Sequence, residues 1–176
     1  YFDTGWCKSL CADFFNLALQ TNFQLNKEEE HLCSVLQKNN IIKKIKADDK
    51  DYFVPLNGAI VSISQESPEY LRRSLLGHEC YHGIYFTDEK FRIFVDDVRN
   101  IVDPQELAFL HSYFFNTPSL KYNPQDDYLL KNEFMAYLLQ QSVNNCSKYF
   151  SQTLANRKYV REASPDLCQY IIDTKA

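Results

Sequence analysis

Apolar and polar positions alternate along this chain with two different periods. Up to about residue 40 the apolar residues recur at helical spacing, Trp6, Leu10, Phe14 and Leu17 in one run and Leu32, Val35 and Leu36 in the next. That spacing predicts helices over about 5 to 21 and 27 to 38, separated by a polar break. From Ile41 the period falls to two. Ile41 to Lys46, Tyr52 to Leu56 and Ala59 to Ser64 read as short strands, joined by a turn at Ala47-Asp48-Asp49-Lys50 and by the hairpin dipeptide Asn57-Gly58. The helical period then returns and holds to the end of the chain. A helix over 69 to 86 opens at Ser67-Pro68-Glu69, with an N-cap, an N1 proline and a first-turn acid. Helices follow at about 88 to 101 and, behind Asp103-Pro104-Gln105-Glu106, at 104 to 115. A long one, capped by Asn123-Pro124-Gln125-Asp126-Asp127, runs to about Asn145, and two shorter ones close the chain, the last begun by Ser164-Pro165-Asp166. The expected fold is α+β: mainly helical, with a small antiparallel sheet of about three strands just ahead of the helix at 69 to 86.

That helix carries His78-Glu79-Cys80-Tyr81-His82. Residues four apart lie on one face of a helix, so both imidazoles can grip one metal ion, and Glu79 between them is placed to take a proton from a water on that ion. His78 and His82 share their stripe with Leu71, Leu75, Tyr85 and Phe86. Histidines on an apolar stripe need a partner, and zinc would supply one. The plain alternative is two histidines packed in a helical core with no metal.

Length and composition narrow the setting. The 176 residues, 45% hydrophobic and 15% aromatic, suffice for one compact domain spanning 1–176. The chain starts at Tyr1 instead of Met, which leads us to expect a piece processed or excised from a longer protein, with further domains among its partners. A net charge of -4 offers no field for a nucleic-acid backbone, and the lysines of Lys43-Lys44-Ile45-Lys46 read as the solvated side of a strand. No apolar run reaches membrane-spanning length. Six cysteines, Cys7, Cys11, Cys33, Cys80, Cys146 and Cys168, are an even number that leans toward a secreted or cell-envelope setting. Fifteen pairings are open, Cys146 with Cys168 among them, as is a set of free buried thiols.

Two histidines leave a catalytic zinc short of one protein ligand. Glu133 is the best candidate, because its neighbours one turn away are Leu129, Leu130, Ala136 and Tyr137, and a lone carboxylate on so apolar a stripe would cost several kcal/mol. The sequence from about 58 to 140 here resembles the gluzincins, the thermolysin-like and aminopeptidase-like zinc metallopeptidases: His78-Glu79-x-x-His82 is followed by Asn132-Glu133 on a later helix. The resemblance implies a zincin-like fold, zinc ligands His78, His82 and Glu133, and Glu79 as general base. It also implies that Ala59, Ile60, Val61, Ser62, Ile63 and Ser64 form a substrate-aligning strand. The activity implied is hydrolysis of peptide bonds in a protein or peptide substrate. Glu133 lies 51 positions after His82, farther than in thermolysin-like enzymes, and Tyr137 stands where those enzymes place an Asp that orients a zinc-bound His. For the oxyanion the candidates are Tyr122, Tyr128, Tyr137 and His111. The metzincin pattern fits less well: Asp88 takes its last position, but Tyr85 occupies the glycine position, where the backbone needs positive φ. From another class comes a zinc-containing binding or structural module without turnover.

Overall fold

The computed structural model describes residues 4–120 and 122–174, with side chains from residue 9 onward, so Trp6 and Cys7 lie outside the described side chains. The chain divides into two compact units, Tyr1–Ser62 with Gly83–Glu89 and Ile63–His82 with Lys90–Ala176.

In the first unit, α1 (Thr4–Thr21) and α2 (Lys27–Lys38) precede β1 (Ile42–Ala47) and β2 (Lys50–Pro55). A reciprocal capping box opens α2: Glu29 N–H donates to Asn26 Oδ1 at 2.8 Å, and Asn26 N–H donates to Glu29 Oε2 at 2.8 Å. Each helix ends on an asparagine in the left-handed region, Asn22 with φ 52° and Asn40 with φ 55°. The next N–H, of Phe23 or Ile41, donates back to the Ala18 or Leu36 carbonyl at 2.9 Å, closing a Schellman motif. The strands pair antiparallel from Ile42 opposite Pro55 to Ala47 opposite Lys50. Asp48 and Asp49 both have positive φ, 50° and 60°, the two-residue turn that matches strand twist. Ala12, Phe15, Cys33, Leu36, Ile42 and Phe53 form the core.

The sheet has two strands among the described residues, not three, and Ala59 to Ser64 form no strand. Two contacts explain the difference. The Asn16 side chain binds the backbone of Phe53 in both directions: Nδ2 donates to Phe53 O at 2.9 Å, and Oδ1 accepts from Phe53 N–H at 2.6 Å. A third strand would need those same groups. Asn57-Gly58 makes no primed turn, since neither residue has positive φ. Instead Asn57 Nδ2 donates to Thr87 O at 3.2 Å, and Gly58 lies so close to the Ile41 side chain that a Cβ there would collide with it. Ala59 and Val61 pass the bare Cα of Gly83, where an added Cβ would sit 3.3 Å from Ala59 Cβ.

The second unit is helical. It takes α3 (Glu69–Thr87) up to His82 and α4 (Glu89–Ile101) from Lys90, followed by α5 (Pro104–Asn116) and α6 (Asp127–Leu139). Then come α7 (Val143–Lys148), a π-helical turn at Tyr149–Leu154, α8 (Lys158–Ala163) and α9 (Pro165–Thr174). Asp103 caps α5, accepting from Gln105 N–H at 2.8 Å, and Asp126 caps α6, accepting from Leu129 N–H at 3.0 Å. Helix α5 packs on α8 and α9, and the Ser112 and Ser164 hydroxyls meet at 2.8 Å. The helix expected to reach Asn145 stops at Leu139, and a new one starts behind Ser142. Leu71, Leu75 and Leu76 of α3 are exposed, so the expected stripe is covered only from His78 onward.

Cys33, Cys80, Cys146 and Cys168 are free thiols, so the Cys146–Cys168 bond is not formed. Burial pushes the Cys33, Cys146 and Cys168 thiols above the ordinary range, which makes them poor nucleophiles. None of the described helices is long and apolar enough to cross a membrane.

Candidate metal centre

Helix α3 presents His78 and His82 four residues apart, and α6 presents Glu133 to both. His78 and His82 are each 6% exposed and Glu133 is 2% exposed. Glu133 Oε2 stands 3.5 Å from His78 Nε2, and Oε1 stands 3.6 Å from His82 Nε2. The imidazole rings cross edge-on, centroids 4.5 Å apart. Glu79 is half-buried, and one of its oxygens lies within 4.8 Å of the histidine nitrogens.

The far sides of the imidazoles decide what these distances mean. His78 Nδ1 lies 3.1 Å from Gln140 Oε1, and His82 Nδ1 lies 2.9 Å from Asn132 Oδ1. An amide oxygen only accepts, so each Nδ1 donates to its amide, and each ring turns Nε2 toward Glu133. Two Nε2 atoms and a buried carboxylate thus converge, and Glu133 Oε2 has no hydrogen-bond partner. The separations of 3.5–3.6 Å are those of ion pairs or of ligands around one ion, and they exceed the usual hydrogen-bond range of about 2.7–3.2 Å. A tetrahedral zinc with bonds of about 2.0–2.2 Å sets its ligand atoms about 3.3–3.6 Å apart, which the observed separations match. The residues present therefore fit a divalent cation with nitrogen and oxygen ligands, and zinc suits that donor set.

Of the oxyanion candidates, Tyr137 lies beside His78, its ring edge-on with centroids 5.2 Å apart. It belongs to an aromatic cluster with Tyr113 at 5.5 Å and Phe114 at 5.2 Å. Tyr122 packs on Phe114 at 5.4 Å, and Tyr128 is 42% exposed. His111 belongs to a different environment, where burial, and after it the Arg99 charge, lowers its pKa. Asp88, the metzincin candidate, is exposed at the end of α3. Gln140 was not singled out by sequence reasoning, although Glu133, Tyr137 and Gln140 are spaced i, i+4, i+7 and share one helical face.

No family model matches the chain, nor does any curated protein or solved structure.

Proposed function

We propose that the chain is a zinc-dependent peptidase in which His78, His82 and Glu133 hold the metal and Glu79 moves the proton. The observation that carries this reading is the buried Glu133 carboxylate at 3.5 and 3.6 Å from the Nε2 atoms of two histidines. Zinc in that position would acidify a coordinated water and polarise a scissile carbonyl. Glu79 follows His78 by one residue and is turned about 100° from it around the helix. Its carboxylate would accept the proton of the attacking water and pass it to the departing amine nitrogen. Asn132 and Gln140 would hold the imidazoles in the tautomer that leaves Nε2 free for the metal. Ala59 to Ser64 form no strand, so the reading includes no strand addition by substrate along that segment.

The test compares wild-type with Glu79→Gln on one peptide pool, with zinc content of both fixed by elemental analysis. Glu79→Gln is expected to keep fold and zinc and to lose cleavage by about 10²–10⁴-fold. Equal cleavage by the two proteins would place any hydrolysis elsewhere. Full zinc occupancy with an inactive wild-type would favour a zinc-braced binding module.

A further inference from the structure

The groups behind the two histidines are both neutral amides. Gln140 sits at the C-cap of α6, its backbone N–H bonded to Ala136 O at 2.9 Å, and its Oε1 reaches His78 Nδ1 at 3.1 Å. Tyr137, one turn earlier, closes on the same ring edge-on. His78 is therefore fixed from two sides by one helix face. A carboxylate behind a metal-binding imidazole raises the basicity of that ligand, and an amide oxygen supplies the same orientation without the charge.

We infer that Gln140 is the positioning residue for His78 and that its neutral amide sets zinc affinity below what a carboxylate there would give. This rests on the zinc-site reading above.

The experiment measures zinc affinity by chelator competition for wild-type, Gln140→Met, Gln140→Glu and Gln141→Glu, with thermal unfolding of each metal-free protein as the folding control. Gln140→Met keeps the length of the side chain and loses the acceptor, so zinc affinity is expected to fall by about 10–100-fold. Gln140→Glu can only accept, so it is expected to bind zinc about 10-fold more tightly than wild-type. Gln141→Glu carries the same charge one residue away and is expected to shift affinity by less than half of that factor. Equal affinities for wild-type and Gln140→Met, or equal tightening by the two Glu variants, would overturn the Gln140 assignment and leave the zinc site standing. Weaker binding by Gln140→Glu than by wild-type would mean that the amide donates to Nδ1, which also overturns it. A wild-type that binds no zinc would overturn the zinc site itself.

Discussion

Replacing Glu133 by glutamine separates a metal site from an ion pair, because the two predict opposite signs for the metal-free protein. In a metal site without its metal, the carboxylate faces two lone pairs at 3.5 and 3.6 Å, and its Oε2 is buried without a hydrogen-bond partner. Glutamine has the same shape and carries no charge. An unsatisfied buried group costs about 1–3 kcal/mol, more when charged, so Glu133→Gln should stabilise the metal-free protein by about that amount. For a chain of this length, with about 2–4 °C of Tm per kcal/mol, the gain is about 2–12 °C. Zinc should act in the opposite sense. At a free concentration 100 times the dissociation constant it stabilises wild-type by about 2.7 kcal/mol, or about 5–11 °C, and Glu133→Gln should lose most of that shift. The assay is thermal unfolding of both proteins at pH 8, with chelator and with zinc. A metal-free Glu133→Gln less stable than metal-free wild-type would refute the reasoning, since the carboxylate would then be gaining more from the histidines than it loses by burial.

Two further predictions concern stability alone. Asn16→Ala removes both side-chain bonds to Phe53, and at about 0.5–1.5 kcal/mol each it should cost about 1–3 kcal/mol, read as a lower urea midpoint at unchanged slope. Burial, and after it the Asp103 charge, raises the Glu106 pKa, so the folded state holds that proton to higher pH than the unfolded chain and stability falls as pH rises through the interval between the two values. Glu106→Gln should therefore unfold at a higher temperature than wild-type at pH 8 and at the same temperature near pH 3; an equal difference at both values would assign the effect to packing.

The convergence of His78, His82 and Glu133 was legible because their chemistry conflicts with their surroundings. Glu133 on the Leu130, Ala136 and Tyr137 stripe is a charge among apolar residues, and it is buried where the sequence places it. The starts of α5 and α6 were equally plain, since Asp103 and Asp126 act through bonds to their own near neighbours. What failed was set by distant partners. Asn57-Gly58 has the composition of a hairpin turn, yet Asn57 binds Thr87, thirty positions away. The third strand was lost to Asn16, thirty-seven positions from Phe53. No glycine or proline marks the break after Leu139, and its cause is not evident in the local sequence. Gln140 looked like an ordinary polar residue near a helix end until α6 was placed against His78.

The Asn16 side chain also has a meaning for the molecule in a crowded solution. The outer edge of a strand is a template on which another chain can add, the first step toward amyloid-like stacking. Here an amide mounted on a helix already occupies both backbone groups of Phe53 in mid-strand, so an incoming strand meets a blocked position at the point where pairing would have to continue.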